Sequence, residues 1–236
     1  MFAGHIGAAL ALGRAERRLN LGLLVAAALL LDTLLWLFVL LGWETVRIPA
    51  DFATRHQPEF VFPYSHSLLA SVVWSVLAAA IAMLLSRHPD GKGGRSRWIG
   101  AWLGAAVFSH WLLDALVHAP EMPLAGEGTM QLGLGLWNHM ALGLAVEAVV
   151  VVAGLALFLH GADLPKGKAV GLVLLAMATL AFSVLGMTVA PAPPSAAAMA
   201  ITSLINIAVV CALAAWLGRA SPPAIADQRK AQSPSV

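Results

Sequence analysis

Long apolar runs separated by short polar segments dominate this chain, and they predict transmembrane helices. A helix needs about 20 mostly apolar residues to cross the hydrocarbon core of a bilayer. Six runs reach that length, near residues 20–42, 64–86, 98–118, 136–160, 169–190 and 196–218. The sequence therefore predicts an all-α, polytopic bundle of about six transmembrane helices.

The N-terminal run FAGHIGAALALG, residues 2–13, is apolar but too short to cross a membrane. The basic residues Arg14, Arg17 and Arg18 follow this run, whereas the positive charges of a signal peptide precede its apolar segment. We expect a re-entrant or amphipathic half-helix that packs among the spanning helices.

The composition supports a membrane protein and restricts its chemistry. Of the 236 residues, 60% are hydrophobic and 11% are charged, and the mean hydropathy is +0.83. Cys211 is the one cysteine, which excludes an intrachain disulfide and a cysteine-based zinc cluster. The formal net charge of +2 is too small to indicate a nucleic-acid partner.

The basic residues predict the orientation of the spans. Of the 14 lysines and arginines, the connection 43–63 carries Arg47 and Arg55, and the other twelve lie on the opposite side of the predicted membrane. Those twelve are Arg14, Arg17, Arg18, Arg87, Lys92, Arg95, Arg97, Lys166, Lys168, Arg219, Arg229 and Lys230. Because basic loops remain in the cytoplasm, both termini are predicted to be cytoplasmic, and the connections 43–63 and 119–135 extracytoplasmic.

Polarity also divides the chain along its length. The ionisable residues predicted to lie within the membrane all fall in residues 1–160, which we interpret as a metal-site bundle. Residues 161–218 contain two spans with only mildly polar groups, and we expect a scaffold that closes the bundle or contacts a second subunit. Residues 219–236, rich in proline, serine and alanine, predict a disordered cytoplasmic tail.

The run SHWLLDALVHAP carries the strongest chemical signal. It places His110, Asp114 and His118 four residues apart, on one face of an apolar helix. Imidazole and carboxylate groups in this environment cost free energy unless they are paired, hydrated or bound to a cation. The spacing His-x-x-x-Asp also allows one helix to give two ligands to a metal ion.

Other ionisable residues are predicted to lie at similar depth. Asp32 and His110 each lie twelve residues into a span, about 18 Å at a rise of 1.5 Å per residue. We interpret His5, Asp32, His66, His110 and Asp114 as the ligands of one divalent ion, zinc first among them, or of two metals that share a carboxylate. The alternatives are a structural ion pair for His110 and Asp114, a hydrogen bond or proton carrier for Asp32, and simple solvation for His66.

Two more residues are candidates for catalysis. His118 lies one turn beyond Asp114 and is predicted to be a general acid at the pocket mouth, or a further ligand. Glu147 lies about 16 Å into its span and is predicted to be a general base, or a residue that orients an imidazole.

At these residues the chain resembles the predicted membrane-bound metal-dependent hydrolases of bacterial and archaeal inner membranes. The matching segments are GHIGAALALGR, LLLDTLLW, YSHSLL, FSHWLLDALVHAP and GLGLWN, in the family order over residues 4–138. Where many members carry Pro-Asp-x-Asp, this chain has a single carboxylate, Asp32. The resemblance implies a membrane-embedded metal site built from His5, Asp32, His66, His110 and Asp114, in a bacterial inner membrane.

The leading hypothesis is an integral-membrane hydrolase that acts from the extracytoplasmic side on an amphipathic substrate, such as a phospholipid or lipid-linked phosphoester. Its expected partners are membrane lipids and a second copy of the chain. One alternative is a metal-ion or proton transporter or channel that uses the same cluster as a relay. A non-catalytic membrane scaffold is another.

The predicted orientation can be tested by labelling cysteines from outside the cell, in a variant that lacks Cys211. A reagent that does not cross membranes should modify Gly126→Cys, in the third connection, and spare Gly94→Cys, because basic residues flank only the second position. The opposite labelling pattern would invert the orientation of every span.

Overall fold

The computed structural model describes residues 1–86 and 93–219 and shows a bundle of α-helices with two short hairpins. The helices are α1 (Phe2–Ala15), α2 (Leu21–Ala28), α3 (Leu30–Leu41), α4 (Phe52–Arg55), α5 (Leu68–Leu85), α6 (Gly93–Val117), α7 (Met140–Leu159), α8 (Lys166–Thr188) and α9 (Ala196–Leu217). The antiparallel pairs are β1 (Thr45–Arg47) with β2 (Glu59–Val61), and β3 (Met122–Pro123) with β4 (Gln131–Leu132). The predicted disordered tail lies outside the described residues from 220 onward.

The predicted all-α membrane architecture is confirmed. Among the described residues, five helices are long and apolar enough to span a bilayer, namely α5, α6, α7 with its leading 3-10 turn (Leu136–His139), α8 and α9. The pair α2 and α3 makes a sixth span when it is counted as one helix, although it is bent by 53°. The multi-pass character is therefore shown by the helices themselves.

The bend in the first span is a feature that the apolar pattern does not predict. It falls at Leu29, where neither proline nor glycine interrupts the run. The Thr33 hydroxyl donates to the Leu29 carbonyl at 2.9 Å, a side-chain contact that commonly bends helices. The bend places Asp32 in the first turn of α3, where the helix dipole favours a carboxylate.

Helix α1 is buried within the bundle, as expected for a half-helix that packs among the spans. It lies against α7, where a side chain at Gly7 would come within 2.6 Å of the Val150 carbonyl oxygen. A side chain at Gly154 on α7 would likewise collide with the backbone of Gly7. These glycines allow the two backbones to touch, as in other membrane helix pairs.

The C-terminal spans belong to the same bundle. Helix α9 packs against both α2 and α3, and α8 packs against α1 and α7. Contact is close at Gly22, where an added Cβ would lie 2.6 Å from the Cys211 carbonyl oxygen. The division of the chain at residue 160 stays a prediction, since these contacts run across it.

Candidate metal centre

The five predicted ligands converge at one place in the bundle. His5, His110 and Asp114 offer ligand atoms within 4.8 Å of one another, and so do Asp32, His66 and His110. Four of the five side chains are buried, and Asp32 keeps 19% of its side chain exposed. Asp32 is thus the most exposed of the five side chains.

The protonation of His110 follows from its outer contact. Its Nδ1 lies 2.7 Å from the carbonyl oxygen of Ala28, the last residue of α2 before the bend. A carbonyl can only accept, so Nδ1 carries the hydrogen and the neutral ring has its lone pair on Nε2. This contact fixes both the ring orientation and the tautomer, as ligating histidines require.

A second set of contacts fixes His66. The Ser65 hydroxyl donates to Glu44 Oε2 at 2.7 Å and lies 2.8 Å from His66 Nδ1. Because that hydroxyl has one hydrogen, it accepts from Nδ1–H, and the lone pair of His66 lies on Nε2. The backbone of His66 is held as well, since Trp111 donates to its carbonyl oxygen at 3.0 Å.

Glu44 is the outer end of this relay. It lies just beyond α3, is buried, and accepts hydrogen bonds from the backbone N–H groups of Tyr64 and Ser65, both at 2.8 Å. Burial raises the pKa of the Glu44 carboxyl, and the hydrogen bonds from Ser65 and Tyr64 oppose that rise. A carboxylate behind an imidazole increases the basicity of the ring nitrogen on the other side.

Four hydrogen-bond acceptors therefore point towards one another. The Nε2 atoms of His66 and His110 are 3.2 Å apart, and Asp114 Oδ2 lies 3.5 Å and 3.1 Å from them. Asp32 Oδ1 completes the group at 3.8 Å and 3.7 Å from the same two nitrogens. Ligands bound at 2.0–2.1 Å around a tetrahedral ion lie about 3.3 Å apart, so this donor set fits a divalent metal such as zinc.

His5 lies beside this group rather than in its centre. Its ring stacks on that of His110, with centroids 3.6 Å apart, and its Nε2 lies 3.1 Å from Asp114 Oδ1, the atom that the Met1 amino group also approaches at 3.1 Å. Both ring nitrogens of His5 are buried; among the described residues Nδ1 has no hydrogen-bond partner, and the close contact of Nε2 with Asp114 lacks the geometry of a hydrogen bond. A buried imidazole without partners is costly, and a metal ion would satisfy it.

His118 occupies the rim of the cluster. Its Nε2 lies 3.9 Å from Asp114 Oδ2, and its Nδ1 is held by Glu121 Oε1 at 2.6 Å. Trp137 packs against the ring, with centroids 4.5 Å apart. His118 Nε2 thus lies next to the central acceptors, and its ring also lines the cavity, but it is not one of the four closest atoms.

Glu147 is buried next to α1. Its Oε1 accepts from the Gly4 backbone N–H at 3.1 Å and from the Ser183 hydroxyl at 3.3 Å. These contacts satisfy a free donor at the buried start of α1 and complement the dipole of that helix. Glu147 thereby holds the helix that carries His5, and its predicted role as a general base stays a prediction.

A cavity of about 600 Å³ adjoins the cluster. Its polar floor includes Asp32, His66, Asp114, His118 and Glu147. Apolar residues from α3, α8, α9 and the connections form most of the remaining wall, including Leu35, Trp36, Phe62, Phe182 and Met199. The volume is typical of a small-molecule site.

Sequence reasoning missed three contributors to this site. Glu44 and Glu121 support histidines, but each lies in a polar connection where an acidic residue is ordinary. His56, which the sequence places in a loop, lines the cavity and contacts the Ala190 carbonyl at 3.1 Å. Its φ of +50° is rare for a residue with a side chain. Neither this backbone conformation nor the contact with Ala190 can be recognised from the sequence.

Comparisons with protein-family models, with curated proteins and with solved structures gave no match for this chain. The properties of the site therefore rest on its own geometry.

Metal binding should depend on His110 and Asp114, since both contribute atoms to the central acceptor group. The double variant His110→Ala/Asp114→Ala should purify with less than a tenth of the wild-type metal content, measured by plasma mass spectrometry. His139→Ala, which removes an exposed histidine outside the cluster, should keep full metal content. Stoichiometric metal in the folded double variant would show that the pair does not ligate.

Glu44 should tune this affinity without being a ligand. Glu44→Gln keeps the shape of the side chain but removes the charge behind His66, and outer partners of this kind change metal affinity about 10–100-fold. The matched control is Glu59→Gln, which breaks an exposed ion pair with Arg47 in the same connection. Competition with a chelator should show weaker binding only in Glu44→Gln, and equal affinities in both variants would contradict the relay.

Proposed function

We propose that this protein is an integral-membrane, metal-dependent hydrolase, related to the predicted membrane-bound metal-dependent hydrolases that its motifs resemble. The observation that carries the proposal is the group of four converging acceptors, on His66, His110, Asp114 and Asp32, beside a cavity that reaches Asp32. Catalytic metal sites keep one face open to substrate and close the others with ligands. Here the closed faces are buried and Asp32 is the partly exposed one.

We assign a divalent cation, zinc by preference, to these acceptors and to His5. When bound, such an ion polarises a scissile ester and lowers the pKa of a water molecule. The histidine and carboxylate donors suit zinc, and their outer contacts to Ala28 and Ser65 hold the two central rings in place.

His118 is the residue we assign to proton transfer. Glu121 holds its Nδ1, so that Nε2 faces Asp114 and the cavity. In that position it can protonate a leaving group or take a proton from water. Phe62 and Trp137 surround the ring and limit its contact with bulk water.

The cavity supports an amphipathic substrate. Its floor is ionisable, whereas most of its wall is apolar and comes from membrane-spanning helices and the connections between them. A phospholipid or a lipid-linked phosphoester has the matching division between a charged head and a hydrocarbon tail. The charge distribution of the loops supports an extracytoplasmic position for the cavity, and the family resemblance supports a bacterial inner membrane.

The transporter hypothesis is less well supported by the packing. A transport path needs polar groups on both sides of the cluster. On the side away from the cavity, α1, α2 and α6 contribute buried apolar residues, including Leu10, Leu24 and Leu103. The ionisable cluster therefore leads into the cavity, while apolar packing closes the opposite side of the described bundle.

The proposal predicts hydrolysis that requires both the metal cluster and His118. Purified protein in liposomes should release a water-soluble headgroup from one member of a panel of phospholipids and lipid-linked phosphoesters, measured by mass spectrometry. His118→Gln should slow release by about 10²–10⁴-fold, the usual contribution of a general acid or base, and should retain the metal. His66→Ala should lose activity because a ligand is gone.

The control is His139→Ala, which should hydrolyse at the wild-type rate because that residue is exposed and outside the cluster. Two results would contradict the proposal. One is wild-type turnover by His66→Ala. The other, in liposomes with a defined protein orientation, is hydrolysis only of substrate in the leaflet that corresponds to the cytoplasmic side.

A further inference from the structure

The cavity opens at one identifiable place. Most of the residues that line it are buried or half-buried, and its exposed lining residues all lie between positions 182 and 202. These exposed residues are Phe182, Leu185, Pro191, Pro194 and Thr202. They belong to the end of α8, the turn that follows, and the beginning of α9.

Packing between α8 and α9 differs along their length. Near one end the helices touch, since a Cβ added at Gly171 would lie 2.6 Å from Leu217 Cδ2. Near the other end, an added Cβ at Gly186 would meet no atom within 4 Å, although Gly186 lines the cavity. Because Gly186 of α8 and Met199 of α9 line the same cavity, that cavity lies between the two helices at this level, and we call this separation the gap.

We propose that this gap is a lateral portal through which the acyl chain of a bilayer lipid enters the cavity. Both α8 and α9 are membrane-spanning helices, so a gap between them faces hydrocarbon. The rim side chains Phe182 and Leu185 are about half exposed, at 51% and 56%. Apolar side chains of the rim and the wall therefore line the route from the bilayer to the cluster.

The chemistry of the rim favours an acyl chain over a peptide. A peptide backbone inside a bilayer needs partners for its N–H and C=O groups. The exposed lining residues offer Thr202 as their only polar side chain, whereas an acyl chain requires no hydrogen bonds. The portal extends the proposed function. Entry of the acyl chain does not depend on that function, whereas hydrolysis of the lipid after entry does.

Photo-crosslinking can test the portal without measuring hydrolysis. The probe is phosphatidylethanolamine with a diazirine at the end of one acyl chain, in vesicles of phosphatidylethanolamine and phosphatidylglycerol. Wild-type protein should be labelled at cavity-facing positions of α8 and α9, such as Met187 and Met199. Gly186→Trp fills the gap and should reduce this labelling at least tenfold.

The matched control is Gly167→Trp, on the same helix and also without an atom within 4 Å of an added Cβ, but outside the cavity. It should be labelled like the wild type. Gly186→Leu provides a smaller side chain to fill the gap if the tryptophan variant does not fold.

Unchanged labelling of the cavity in a folded Gly186 variant would overturn the portal, as would labelling restricted to outward residues such as Leu174. Labelled cavity residues in a protein without hydrolytic activity would support the portal and count against the proposed reaction alone.

Discussion

Inside this bundle, the Nε2 atoms of His66 and His110 and one Asp114 oxygen lie 3.1–3.5 Å from one another, and an Asp32 oxygen lies 3.7–3.8 Å from the two nitrogens. Such groups repel when they are close in a medium of low dielectric constant. They remain together because contacts on their far sides fix them, from Ala28 to His110 and from Ser65 and Glu44 to His66. This arrangement could hold a cation, and the contacts described above maintain it.

The bend in the first span supplies two parts of that arrangement at once. It leaves the Ala28 carbonyl to accept from His110, and it starts α3 so that Asp32 occupies a helix N-terminus. A straight helix would direct the same carbonyl into its own backbone ladder. The close backbone contact between Gly7 and Gly154 has a comparable effect, since it brings His5 onto the ring of His110.

The sequence predicted the spans, the buried half-helix and the ligand candidates because each has a local signal. Apolar runs reveal spans, and an ionisable residue inside a run is conspicuous, as His110 and Asp114 were. Neither proline nor glycine lies at Leu29 to indicate the bend. Glu121 lies only three residues from its partner His118, so that pair does have a local signal. Glu44, however, acts on His66 through Ser65 from a distant part of the chain, and the cavity wall on α8 and α9 consists of ordinary lipid-compatible residues. Those features depend on three-dimensional neighbours, which no single segment encodes.

The two halves of the site have opposite mechanical requirements. Ligand atoms must stay within tenths of an ångström, and the buried relays, the capped start of α1 and the glycine contacts of α7 provide that rigidity. The proposed portal, by contrast, needs an opening wide enough for an acyl chain, and open space lies beside Gly186 near the end of α8. The candidate ligands lie on α1, α3, α6 and the segment before α5, whereas the proposed opening lies on α8, α9 and the turn between them, so different parts of one bundle meet the two requirements.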